Sequence, residues 1–216
     1  NERTVEFLVE ERPTASINGS ISYGTSVGIV GGIKFSDTNF MGRGQEATFN
    51  VEMSNKGNKT AEIGLFDPWI KGTDRLQGGW SVYWKESKDE DAVGSELMKV
   101  RKIGTRLTLG KGLSDKIYVR TALRFENVRE QEADQDVREK YNLVAVTPSI
   151  IYDTRNNSFN PQSGIYSTAS YEYGELISDP RSYSQVELDL RAYHRTLFED
   201  SNVMAYRAVW GYTGGG

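Results

Sequence analysis

The chain contains no cysteine, which excludes disulfides, thiol catalysis and thiolate metal sites together. Histidine occurs once, as His194 between Tyr193 and Arg195. One imidazole without thiolates makes neither a zinc cluster nor a triad, so His194 is expected on a rim, and no metal or cofactor is expected. Basic excess is missing too: the formal charge is −4, and no basic stripe offers nucleic acid a footprint. No stretch approaches the roughly twenty apolar residues of a membrane helix. Nucleophile elbows, phosphate loops and calcium loops are absent. The carboxylates Glu187 and Asp189 lie on one strand face, but Arg191 follows them there, so a salt-bridge ladder accounts for the pair. No catalytic residue is identified and no enzyme is expected.

What the chain does have is alternation with a period of two, the pattern of a strand with unlike faces. In SINGSISYG the small polar residues Ser16, Asn18, Ser20 and Ser22 alternate with Ile17, Gly19, Ile21 and Tyr23. In residues 45–54, Ala47, Phe49, Val51 and Met53 face one way and Glu46, Thr48, Asn50 and Glu52 the other. Ile117, Val119, Thr121, Leu123 and Phe125 likewise oppose Tyr118, Arg120, Ala122, Arg124 and Glu126. Val186, Leu188, Leu190 and Ala192 oppose Gln185, Glu187, Asp189, Arg191 and Tyr193. Similar segments near 27–39, 59–66, 76–85, 100–109, 141–153, 163–175 and 202–212 predict about eleven strands, each long enough to cross a bilayer at a tilt.

A soluble sandwich and a membrane barrel both produce this pattern, and a mean hydropathy of −0.57 fits either, since only alternate barrel residues meet lipid. The connections separate them. On one side the turns at 41–44, 67–75, 110–115, 154–163 and 197–201 are mostly compact and rich in Gly, Asn, Asp and Pro. The other side has 55–58 and 176–182, and two long acidic stretches, 86–99 and 127–140, expected as loops. Short turns on one rim and long polar loops on the other predict an antiparallel transmembrane β-barrel. Aromatics such as Phe66, Trp80, Trp84, Tyr152, Tyr171, Tyr173, Trp210 and Tyr212 fit an interfacial girdle, or ordinary β-propensity. Gly19 and Gly24, then Gly28, Gly31 and Gly32, leave the opening hairpin poor in side-chain contacts. Glycine there weakens pairing, but it also permits the bend of a curved sheet, and both readings stand.

Residues 4–10, TVEFLVE, read as a short separate strand, cut off by Glu11-Arg12-Pro13, where Pro13 bars regular pairing. The start lacks a methionine or an apolar core, and Gly214-Gly215-Gly216 follows a strand-like run. Both ends read as cuts in a longer mature protein.

VEFLVEERPTASINGSISYGTSVG, residues 5–28, resembles the junction in the BamA family of outer-membrane protein assembly factors, where the last POTRA strand runs into the first barrel strand. KFSDTNFMGRG (34–44) is similar to that family's second strand and first periplasmic turn, and LFDPW (65–69) to the Asp-Pro-aromatic element closing its fourth. DTRNNSFNPQSG (153–164) resembles its periplasmic turn, with Asp153, Arg155, Phe159, Pro161 and Gly164 at the matching positions; WGYTGGG (210–216) resembles the approach to its lid loop. The resemblance implies residues 1–13 as the end of a POTRA domain and its linker. It implies residues 14–216 as the first part of a barrel of about sixteen strands, in the bacterial outer membrane with a periplasmic N-terminus. It implies that unfolded outer-membrane β-barrel proteins are the clients, with outer-membrane lipid and accessory assembly lipoproteins as further partners. Client strands would pair with the edge formed by Ala15, Ser16, Ile17, Asn18, Gly19, Ser20, Ile21, Ser22, Tyr23 and Gly24. Asp153 and Arg155 would brace their turn, and Arg120, Arg124, Glu187, Asp189 and Arg191 would meet the lid loop. A polypeptide secretion pore and a passive structural barrel are the alternatives.

Overall fold

Residues that alternate in polarity along a strand give a sheet with one polar and one apolar face. A computed structural model, which describes residues 12–90, 96–132, 138–177, 179–196 and 202–215, has this arrangement. Its strands are β1 (Ala15–Gly24), β2 (Gly28–Phe40), β3 (Gln45–Ser54), β4 (Lys59–Asp67), β5 (Leu76–Glu90), β6 (Glu96–Gly112), β7 (Ile117–Glu132), β8 (Arg138–Asp153), β9 (Gly164–Leu176), β10 (Ser182–Arg195) and β11 (Val203–Gly215). They form one open antiparallel sheet in chain order, β1 and β11 at its edges. The expected strand at 4–10 and the connection at 197–201 lie outside the described residues.

Register carries polarity across the whole sheet. Asn18 lies opposite Lys34, Lys34 opposite Asn50, Asn50 opposite Glu62 and Glu62 opposite Tyr83 on one face. Ile17 lies opposite Phe35, Phe35 opposite Phe49, Phe49 opposite Ile63 and Ile63 opposite Val82 on the other. The apolar face is not covered by a second layer: Leu123 is 40% exposed, and Phe49 and Leu188 are exposed likewise. The sandwich is thereby excluded, since its apolar face would be dry against protein. Of the expected girdle, Trp80, Trp84, Tyr171, Tyr173, Trp210 and Tyr212 lie on the apolar face, whereas Phe66 lies opposite Gly79 on the polar one.

Two expectations about the connections are corrected. The acidic stretches at 86–99 and 127–140 are largely strand: β5 and β6 stay paired out to Glu90 opposite Glu96, and β7 and β8 out to Gln131 opposite Arg138. Strands β5 to β8 reach 15, 17, 16 and 16 residues, against 10 for β1, so the asymmetry between rims lies in strand length. The cause is cross-strand charge pairing, with Glu86 taking Arg101 at 2.9 Å and Lys99 at 3.3 Å. Pro148, inside β8, leaves its ladder to β9 interrupted between Val146 and Ser149, because proline has no N–H to donate.

Candidate functional site

Strand β1 forms its ladder only with β2, from Ala15 opposite Asp37 to Gly24 opposite Gly28; its other edge has no partner among the described residues. Strand β1 is exposed on both faces for nearly its whole length, Ile21 by 87%. No side-chain hydrogen bond or ion pair joins β1 to β2 among the described residues; the one polar side-chain contact within β1 is Asn18 Nδ2 donating to Ser16 Oγ at 3.4 Å. The hairpin is therefore held by backbone bonds and little else. At its tip Gly28 has φ +75°, and a Cβ there would come within 2.1 Å of Asn55 Oδ1, which accepts from the Ile29 N–H at 2.9 Å. Glycine at 28 is thus demanded by the turn. Gly19 and Gly31 differ: a Cβ at either meets nothing within 4 Å. Together with Ile21, Ile33, Val51 and Met53 they line an apolar notch on the lipid-type face. Space alone would admit side chains at both glycines, and their absence is what hollows this face beside the free edge.

The turn at 154–163 is built around Arg155. Its Nη2 donates to Asp153 Oδ2 at 2.7 Å, its Nη1 to the Ser158 carbonyl at 3.2 Å, and its guanidinium lies 4.5 Å from the Tyr166 ring centre. Hydrogen bonding to Asp153 raises the Arg155 pKa further, so the fork stays charged. Gly164 has φ +107° with the Thr154 carbonyl where a Cβ would stand. Asp153, Arg155 and Gly164 thus act together, whereas Phe159 is fully exposed and Pro161 is half-buried. Asn156 and Asn157 complete the turn: Asn156 Oδ1 accepts from the Gln162 and Ser163 N–H groups, and Asn157 Oδ1 from those of Phe159 and Asn160. The Asn-Asn pair was the readable sign of such side-chain-to-backbone turns.

The five polar-face residues named for the lid loop do not form one cluster. Arg124 donates to Glu172 at 2.5 Å and to the Tyr183 hydroxyl at 2.7 Å, and pairs with Glu126 at 3.1 Å. Glu126 is 6% exposed and also accepts from the Tyr83 hydroxyl at 2.5 Å. Asp189, 6% exposed, is clamped by Arg191 at 2.7 Å and Arg207 at 2.8 Å. Arg120 and Glu187 are exposed, and neither has an ion pair among the described residues. The expected ladder thus exists for Asp189 and Arg191 and leaves Glu187 out. Arg124's partners were hidden from sequence reading because Glu172 and Tyr183 lie 48 and 59 residues away. His194 sits near the end of β10, its ring stacked on Tyr206 at 5.7 Å.

Solved structures share this architecture. BamA from Haemophilus ducreyi lacking POTRA domains 1–3 superposes with a TM-score of 0.78 over 94% of this chain and 42% of its own, at 17% identity. CdiB from Acinetobacter baumannii gives a TM-score of 0.62 over 94% of this chain and 39% of its own, at 14% identity. In sequence, the chain is 28% identical over 171 residues to the outer membrane protein assembly factor BamA of Neorickettsia risticii (strain Illinois), across 74% of this chain. It spans 22% of that relative's length. Residues 39–216 match the Omp85 superfamily domain. With that match covering most of its length, the chain belongs to the Omp85 superfamily.

Proposed function

We propose that this chain is the opening part of an outer-membrane protein assembly factor, and that β1 is the template on which client β-barrel proteins begin to pair. The observation that carries the reading is the state of β1: its outer edge has no partner among the described residues, and no side-chain hydrogen bond or ion pair there joins its inner edge to β2. The similarity to the Neorickettsia assembly factor supports it. A client strand entering hydrocarbon must satisfy every backbone N–H and C=O, each costing several kcal/mol if left bare. An exposed strand edge supplies those partners in advance. Augmentation along Ala15, Ser16, Ile17, Asn18, Gly19, Ser20, Ile21, Ser22, Tyr23 and Gly24 uses main-chain bonds, so clients of unlike sequence are all accepted. Burial and pairing of the client drive insertion, with no covalent step. Residues 14–216 belong to the barrel in the outer membrane, and residues 1–13 close a POTRA domain on the periplasmic side. Unfolded β-barrel proteins are the clients, with lipid and accessory lipoproteins as further partners.

Asp153 and Arg155 hold the periplasmic turn in shape, with Gly164 permitting its close approach. Of the residues named for the lid loop, Arg120 and Glu187 are left available for it, because Arg124, Asp189 and Arg191 are already engaged within the sheet. The polar face also favours a second reading, a polypeptide secretion pore, which predicts ion conductance by the intact protein. Proline at Ile21, whose N–H points away from β2 because Thr38 N–H donates to the Thr14 carbonyl and the ladder alternates from there, tests the first reading in the intact protein reconstituted in liposomes. Proline removes a ladder donor and bars regular pairing, so folding of a reporter barrel is expected to slow by at least about tenfold, equivalent to about 1.4 kcal/mol in the barrier. Unchanged reporter folding would leave a passive barrel or a pore.

A further inference from the structure

The apolar face ends abruptly towards the long hairpins. One register row there holds Ala61, Trp84, Ile103, Asn127 and Asn142; the next, one step nearer the tips, holds Lys59, Glu86, Arg101, Arg129 and Lys140 on the same face. Arg101 lies directly opposite Arg129, and Arg129 opposite Lys140. Like charges so placed repel. Glu86, which is buried, compensates Arg101 and Lys99 but pairs with neither Arg129 nor Lys140. Arg129 and Lys140 are exposed, and neither has an ion pair among the described residues. Lys99, Arg101, Arg129 and Lys140, with Gln131, border a shallow cavity of about 390 Å³. Glu130 and Glu139 also touch it, but they belong by register to the polar face, where Glu130 accepts from Tyr141 at 2.7 Å and Glu139 pairs with Arg181 at 3.7 Å.

We infer that this row is a binding site for the phosphate of an anionic lipid headgroup in the leaflet that the long hairpins face. The site has what such a ligand requires. On the outward face Lys99 and Arg101 are held by Glu86, which leaves the Arg129 guanidinium, a fork suited to phosphate oxygens, and the Lys140 ammonium without an ion pair among the described residues. Gln131 offers amide donors, and Trp84 and Ile103 lie one row below for the acyl chains. The outward position at the end of the apolar face is where headgroups lie, which favours a lipid over a soluble anion. The same row on the polar face would meet only water. The inference rests on this sheet spanning a membrane and is independent of client pairing at β1.

The test uses the intact protein, with bound lipid read by native mass spectrometry after exposure to phosphatidylglycerol, phosphatidylcholine or sodium phosphate. Phosphatidylglycerol is expected to be retained preferentially. Arg129→Gln with Lys140→Gln should weaken that retention about twenty-five-fold, at roughly a factor of five per charge. The charge-keeping pair Arg129→Lys with Lys140→Arg should bind as the parent does, and heat-modifiable electrophoretic mobility reports whether each variant is folded. Equal retention of the two lipids would overturn the proposal, as would full retention by the folded neutral variant. Displacement of phosphatidylglycerol by millimolar phosphate would show a site for a free anion and overturn the lipid assignment. None of these readouts depends on client folding.

Discussion

The opening hairpin and the block from β7 to β10 follow the same alternation, yet they are held by different forces. Between β1 and β2 the ladder is complete, from Ala15 opposite Asp37 to Gly24 opposite Gly28, but among the described residues no side-chain hydrogen bond or ion pair reinforces it. In the β7–β10 block, Arg124 ties Glu126, Glu172 and Tyr183 together across strands, and Thr147 donates to Glu172 at 2.8 Å beside the gap at Pro148. Farther along, Arg207 of β11 reaches Asp189 of β10. Charge-assisted hydrogen bonds are about twice as strong as neutral ones, and here they are sheltered on the polar face. The difference teaches that a strand can be fully paired and still be the place where the sheet opens. Pairing sets register, and side-chain networks set how firmly it is kept.

The comparison can be broken from its strong side. Arg124→Met removes the hub and leaves Glu126 and Glu172 without their cation, one of them 6% exposed. Stripping one partner from a buried ionic network costs about 3 kcal/mol, so the urea midpoint of the intact barrel is expected to fall clearly. An unchanged midpoint would show that the network adds nothing to the block. From its weak side the comparison is sharpened by Asn18→Asp, which sets a carboxylate opposite Lys34 on the polar face. A cross-strand ion pair contributes about 0.5 kcal/mol, and amide exchange in β1 should slow by about twofold. Faster exchange would mean that side chains on this face do not meet across the first two strands.

Much of the fold is legible in the chain because one signal, alternation, is local and repeats. Residues 45–54 are bounded in the structure as the alternation of Ala47, Phe49, Val51 and Met53 requires. That signal fades where both faces are wet. KESKDEDAVGSELMK has no apolar set to mark a face, and it reads as loop although β5 and β6 pair through much of it. What holds those strands, Glu86 with Arg101, is a contact between chain segments that local pattern does not encode. The candidate site divides in the same way. Its glycines are visible as letters, but only coordinates separate Gly28, which the turn requires, from Gly19 and Gly31, which have open space beside them. Arg124, Asp189 and Arg191 look like one set in sequence and belong to two networks in space.

The central claim concerns the free edge of β1, and the absence of cysteine in this chain makes it directly accessible. Single cysteines placed in turn from Ser16 to Tyr23, each combined with one in the terminal strand of a client arrested during insertion, report pairing by disulfide formation. A strand added to this edge should give cross-links whose partner shifts one residue back for each residue forward, as antiparallel pairing requires, or one forward if the strands run parallel. Cross-links scattered without register, or none along β1 while the client still inserts, would contradict the account.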